Sequence, residues 1–579
     1  MKRFHKGAIL NILALIATYL KYIILCTRTY YINIDTMFDS HLQVKQAAHI
    51  LAGNWLGTYD KFAMCKNPGF PMFLALINVL HISYPFAVLL LQAFSVGLLV
   101  FAFKPVVKNS WARLIMYCFI LFGPFDYEVS YPYRNMVTPW IALVIVAAFV
   151  GIWLRVCECR KNKSVLSNKE MVLFGSSGFL FTGWLWILRE DSMWILPFVC
   201  AAIVLISIQT IILKEKIKKK ILILSMTVSS ILGIVVFTNM ISIINYNHYG
   251  VYATNDRMAT FEAKVLGDLI LIDDGTPMDQ DVWVSDGTLE LAKEASPTFA
   301  SLDLNPFAGW PKIGDYSIWA LRDSVTNSGY YIDAKSTDDL YKKIDTELNA
   351  AFDSGKLKKK NGIQLSDTSG IYTVSEMTGI VGLSFRTFVN HITYKFIPIP
   401  DKTSRDNVVA VVDSSDLSLY KDILKIDVHI DYDEESRIGK NPGYLSRNEY
   451  VMKEKSISSA FIGILYRIYR KTGVFLFAIV LIQLIVYLVK KNIRTFVILV
   501  GILATAFVNS YMVCLWAISR YIGPEEPIYH EYTYVEYLLI AVVEIVCLYS
   551  IIETIVCFIQ KKWLAKGEED ITNQGEEKQ

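Results

Sequence analysis

The chain has 579 residues, of which 53% are hydrophobic and 13% aromatic, and its formal net charge is only +3. That charge gives no basis for a nucleic-acid partner, and the apolar content exceeds that of an ordinary soluble chain of this length. The apolar residues gather into runs long enough to cross a bilayer, so the sequence predicts a polytopic α-helical membrane protein with about ten transmembrane helices.

In chain order the runs fall at 8–26, 84–103, 112–124, 135–155, 171–188, 193–213, 221–243, 472–489, 495–518 and 536–560. The charged start before the first run has no small-residue cleavage site after it, which reads as an uncleaved signal anchor. The connections alternate in character. MKRFHK, KPVVKNSWAR, RVCECRKNK, KEKIKKK, KKNIR and QKKWLAK are rich in Lys and Arg, whereas 27–83, DYEVSYPYRN, the Arg189-Glu190-Asp191 triplet and SRYIGPEEPIYHEYTY hold few. Basic loops stay on the cytoplasmic side. The expectation is therefore a plasma-membrane protein with both termini cytoplasmic and a large extracytoplasmic domain.

Four segments follow from this. Residues 1–243 form a membrane domain of seven spans with a long outer loop at 27–83. Residues 244–456 form a soluble α+β domain, with TDDLYKKIDTELNAAFDSGK helical and DNVVAVVDSS extended. Residues 457–565 form three further spans, introduced by a second surface helix at 457–469. Residues 566–579 form a polar, disordered tail. No cysteine lies between 244 and 456, so the soluble domain has no disulfide framework. Within 27–83, HLQVKQAAHILAG reads as an amphipathic surface helix, with Leu42, Ala47, Ile50 and Leu51 apolar and Gln43, Lys45 and Gln46 polar.

Charges beside a membrane are costly and mark function. Mid-span charges are few, Lys21 and Glu544. At the outer interface stand Asp35 and Asp39, then Lys61 and Lys66, Arg134, the Arg189-Glu190-Asp191 triplet, and Arg520-Tyr521. The plain alternative for each is a solvated cap or a snorkelling anchor. Asp39 and Glu190 argue against it, because interfacial anchors are usually Lys, Arg, Trp or Tyr. Cys157 and Cys159 are too few for a metal site without partners. The acidic runs DDGTPMDQD and DVHIDYDEES lack the spacing of an EF-hand loop.

Taken in order, Asp39, then Gly53-Asn54-Trp55-Leu56-Gly57-Thr58-Tyr59, then Lys66-Asn67-Pro68-Gly69-Phe70-Pro71-Met72-Phe73-Leu74-Ala75-Leu76, LREDSMWILP and SRYIGP resemble motifs of the membrane-embedded glycosyltransferases of the GT-C fold. That group includes protein O-mannosyltransferases and the aminoarabinose transferase of lipid A. In the central domain, SIWALRDSVTNSGYY and IDTELNAAFDSGKL are similar to segments of its bacterial members. Relatives often show two adjacent acids, whereas here Ser40 follows Asp39, so Asp39 and Asp35 both remain candidates for the key carboxylate.

The resemblance implies inverting sugar transfer from a polyprenyl-phosphate donor to a glycan, lipid or protein acceptor at the outer face, beside membrane lipids. A positioned carboxylate takes the acceptor proton, and cations hold the leaving phosphate. Asp39 is then the general base, with Asp35 its rival. Arg520 and Lys66 are the first candidates for the phosphate, with Arg134 and Arg189 in reserve. Glu190 and Asp191 would orient the acceptor, hold an arginine or bind a divalent metal, which the residues permit and do not require. Tyr521 and Tyr59 would line the substrate site. A transporter or flippase of lipid-linked intermediates is the alternative from another class, as is a non-enzymatic membrane protein with a ligand-binding outer domain.

Overall fold

The computed structural model describes residues 2–26, 30–33, 39–125, 131–162, 166–276, 282–312, 314, 316–395, 397, 414–426, 428–431, 442–518 and 528–576. Its elements begin with α1 (Lys2–Cys26), strand β1 (Tyr30–Asn33), α2 (Ser40–Leu51), α3 (Gly69–Val79), α4 (Tyr84–Ala102), α5 (Ser110–Leu121), α6 (Thr138–Asn162), α7 (Asn168–Leu188), α8 (Leu196–Ile212) and α9 (Ile217–Tyr249). A central domain follows, with α10 (Asp256–Ala259), α11 (Phe261–Leu271), α12 (Asp286–Ala295), α13 (Pro297–Ala300), α14 (Pro306–Gly309), α15 (Tyr316–Asn327), α16 (Ala334–Asp353), β2 (Ile363–Gln364) and β3 (Ile371–Tyr372). The chain continues through α17 (Val374–Ile392), α18 (Ser414–Leu424), β4 (Val428–Asp431), α19 (Pro442–Val489), α20 (Ile493–Ile518) and α21 (Ile528–Glu576).

Among the described residues nine helical stretches are long and apolar enough to cross a membrane. They lie in α1, α4, α6, α7, α8, α9, α19, α20 and α21, which identifies a multi-pass helical membrane protein. The third expected span is instead the 12-residue α5, only about 18 Å long. Yet α4 and α6 run in the same direction. Ser95 of α4 donates to the Trp140 carbonyl near the start of α6, and Arg155 near its end donates to the Ala102 carbonyl. The chain between them must therefore return across the same thickness. Alongside α1, α5 makes most of that return, with Thr18 and Tyr117 hydrogen-bonded at 2.7 Å and Lys21 over the Phe122 ring.

Two further boundaries differ from expectation. Helix α9 continues to Tyr249 and ends where Gly250 adopts φ 80°, so the central domain starts later than residue 244. The separate surface helix expected at 457–469 is continuous with the span after it, as one helix α19. Charges at Arg467, Arg470 and Lys471 do not interrupt backbone hydrogen bonding, and no proline intervenes.

The described part of the central domain is helical, where an α+β mixture was expected. Its sheet is one hairpin of two-residue strands. DNVVAVVDSS lies almost wholly outside the described residues, and β4 pairs in parallel with β1, Tyr30 opposite Val428. The expected helix is α16, which buries Leu340, Tyr341, Ile344 and Leu348 on one face. These meet Leu266, Leu269, Ile318 and Leu321 in the domain core, which also takes in Leu42 and Cys65 from the first connecting segment. Helix α2 is accordingly enclosed by protein, with Gln43 and Gln46 buried, and does not present a polar face to water.

Candidate functional site

Two glycine-containing motifs fasten residues 39–80 to the membrane helices. In GNWLG, Gly53 and Gly57 have φ of 79° and 102°, which lets the chain turn twice in five residues. Trp55 Nε1 then donates to Asn245 Oδ1 at 2.7 Å and Tyr249 donates to the Gly57 carbonyl at 2.8 Å, both on α9. In KNPGFP, Gly69 lies against the end of α7. A Cβ there would come within 2.6 Å of the Ile187 carbonyl oxygen, so only glycine permits this approach. Asn67 Nδ2 also donates to the Trp186 carbonyl at 3.1 Å. Lys66 and Asn67 are thereby held beside the Arg189-Glu190-Asp191 turn.

Asp39 immediately precedes α2, yet its side chain makes no capping hydrogen bond. Its carboxylate instead pairs with Lys66 Nζ and accepts from Tyr133 OH at 3.0 Å. The Lys66 side chain is 5% exposed and that of Asp39 29%, so the carboxylate is the more exposed partner of the pair. Glu190 accepts from Arg134 Nη1 at 2.5 Å and from the Asn67 backbone N–H at 2.8 Å. Arg189 grips Asp191 through both carboxylate oxygens, at 2.6 and 2.5 Å, and donates to Asn135. The ring of Tyr532 lies 5.2 Å from the Arg189 guanidinium. A small cleft beside Arg189 is lined by Asn135, Asp191, Trp194, Asn509, Tyr532 and Tyr534, between α6, α20 and α21.

Burial alone would raise the Asp39 carboxyl, but the Lys66 ammonium, the Tyr133 hydroxyl and the Arg134 charge outweigh it and hold it below the usual carboxylate range. Burial likewise works against ionised Glu190. Arg134, the Asn67 N–H, Arg257 and Lys66 reverse that and push it down to about 2. Burial raises the Tyr133 hydroxyl, with the nearby Asp39 charge adding to it, so Tyr133 remains a hydrogen-bond donor. Lys66, Arg134 and Arg189 thus meet Asp39, Glu190 and Asp191 within one cluster, with Asp39 and Glu190 held below the usual carboxylate range. An incoming anion finds Lys66 and Arg134 already placed, and it must compete with Asp39 for the lysine.

The structure brings Asp39, Lys66, Arg134, Arg189, Glu190 and Asp191 together from three segments far apart in sequence. Asp35, Arg520 and Tyr521 lie outside the described residues. Tyr59 is held elsewhere, donating to Asp256 at 3.3 Å and stacked 5.9 Å from Tyr331 of the central domain. Sequence reasoning missed Tyr133, Asn67 and Asn135, each adjacent to a residue it had singled out. It also missed Arg257, for which no local signal exists. Among the described residues no group of three or more His, Cys, Asp or Glu is placed to hold a metal ion. Cys157 and Cys159 are free, and Cys159 lies 3.5 Å from Glu215.

Comparison with protein-family models, with curated proteins and with solved structures finds no match to the chain.

Proposed function

We propose that the chain is a GT-C-type glycosyltransferase that moves a sugar, with inversion, from a polyprenyl-phosphate donor to an acceptor at the outer face of the plasma membrane. The observation that carries this reading is the cluster itself. An accessible carboxylate, Asp39, sits over a buried lysine and beside the Arg134–Glu190 pair, where the membrane helices end. In this reading the Lys/Arg-rich loops and both termini are cytoplasmic, and the central domain lies outside.

The anomeric carbon of a lipid-linked sugar waits at the membrane surface. An acceptor hydroxyl attacks it, the bond from that carbon to the phosphate oxygen breaks, and the acceptor proton passes to Asp39. The departing polyprenyl phosphate gathers negative charge, which Lys66 and Arg134 stabilise. Competition for Lys66 couples the two events. As the phosphate draws the ammonium away, Asp39 loses the charge that depressed its pKa and becomes a better base. Glu190 and Asp191 hold Arg134 and Arg189 in place. The acceptor is a glycan, lipid or protein hydroxyl, and the outer domain would bind or screen it.

Transport of lipid-linked intermediates draws on Glu536 and Glu544, fully buried in α21. The two readings separate in cells lacking the gene. Sugar transfer predicts that lipid-linked sugar accumulates at the outer face and is cleared by the wild-type chain but not by Asp39→Asn. Transport predicts accumulation on the cytoplasmic side, cleared by both.

A further inference from the structure

Helix α17 follows the central domain in sequence but packs along α20 and α21. It opens with a capping box formed by Thr373 and Glu376. One face is buried and partly polar, comprising Ile380, Ser384, Thr387, Phe388 and His391. Ser510 of α20 donates to the Ser384 carbonyl at 3.2 Å, and Phe388 lies edge-on to Phe477 of α19 and Phe507 of α20. Below, His391 Nε2 is 2.8 Å from Thr533 Oγ1, and Tyr394 donates to Glu544 at 2.9 Å. The opposite face carries Val374, Val381, Phe385 and Val389, exposed by 67, 46, 61 and 40%. Their spacing places them in one stripe.

Ser375, Thr378 and Arg386 are exposed on the same side, but a helix lying on a protein in water would not bury Ser384, Thr387 and His391 while turning Val381, Phe385 and Val389 outward. In water these apolar side chains would leave much of their area uncovered, which the hydrophobic effect disfavours. The depth of α17 points the same way. Gly473 of α19 touches the Ile392 carbonyl so closely that a Cβ would clash with it, the close backbone approach typical of membrane helix contacts. Gly473 stands about 24 Å along α19 from its Val489 end, inside a hydrocarbon core of about 30 Å. Glu544, the partner of Tyr394, stands at the same height on α21. Beyond Gly473 toward Val489, Val474 and Phe475 are 60 and 66% exposed, while the exposed Arg470 and Lys471 just before it stand where snorkelling cations reach the headgroups.

We propose that α17 is inserted in the bilayer leaflet on the side of the central domain, and that its Val381–Phe385–Val389 face is a lipid-contact surface covered by acyl chains. The proposal does not depend on glycosyl transfer. It also gives the central domain a second attachment to the membrane. This one lies about a quarter-turn round the first turns of α21 from Arg189, because Thr533 meets His391 while the neighbouring Tyr532 meets Arg189.

Hydroxyl-radical footprinting of the unmodified full chain, one copy per lipid nanodisc and read by mass spectrometry, tests this. Water-borne radicals should leave Phe385 unoxidised while oxidising Tyr330 and Met258, exposed residues of the central domain. Oxidation of Phe385 to the level of Tyr330 would show a water-facing helix and overturn the proposal. Protection that appears only when two copies share a nanodisc would assign the face to a protein contact and overturn it equally.

Discussion

Asp39 precedes a helix whose first turn its side chain leaves uncapped, and that geometry separates a structural from a chemical role. A capping aspartate costs about 1 kcal/mol of stability when replaced. Asp39→Asn should leave the melting temperature nearly unchanged, because the amide oxygen still accepts from Tyr133 and from Lys66, whose ammonium also donates to the Tyr133 hydroxyl. Arg134 is the contrary case. With side-chain exposures of 10 and 14%, the Arg134–Glu190 pair is largely dry, and Arg134→Ala strands a buried carboxylate at a cost of about 3–5 kcal/mol. Because the folded pKa of Glu190 is depressed to about 2, its contribution is present above the unfolded value near 4.3 and is lost as pH falls through the folded one. An acid titration of stability should show that loss in the wild type and not in an Arg134→Ala, Glu190→Gln pair. Asp268 has the opposite sign. Burial and the neighbouring Asp345 raise it to about 7, so it favours the fold while protonated and penalises it as pH rises from about 4 to about 7. Asp268→Asn should stabilise the chain at neutral pH, by an amount on the order of 1–3 kcal/mol, and the gain should vanish near pH 4.

At the scale of elements, the site is a loop pinned between helix ends, and KNPGFP does the pinning. Gly69→Ala should push α3 off α7 and lower both stability and activity, while Gly53→Ala, open around its α-carbon but at φ 79°, should strain only the turn. The central domain is fastened to the same loop. Arg322, fully buried, forks onto Glu262 at 2.6 Å and donates to the Lys61 carbonyl. Much of this was legible. The Lys/Arg pattern and apolar runs marked the helices, and the acids and bases at their ends marked the residues that converge. What was not legible depends on distance in sequence. Nothing near Tyr133 says that it will meet Asp39, 94 residues earlier, and no local pattern in α17 says that its polar face will seek α20 and α21.

At the scale of the whole molecule, the reading needs the cluster and the central domain on the outer side. An impermeant maleimide added to intact cells, with the labelled peptide mapped by mass spectrometry, should modify Tyr330→Cys and spare Ile217→Cys. The reverse pattern would overturn the orientation and the mechanism together. The central claim, that Asp39 is the base of a sugar transfer from a lipid phosphate, is tested most directly on the purified full chain with a radiolabelled polyprenyl-phosphate sugar, an acceptor extract and the Asp39→Asn variant. The account predicts that the variant binds donor at least as tightly as the wild type, because Asp39 no longer competes for Lys66, and melts at nearly the same temperature. It also predicts that the variant forms labelled product about 100- to 10,000-fold more slowly, the range expected for loss of a general base. Product formed at the wild-type rate by folded Asp39→Asn would contradict it.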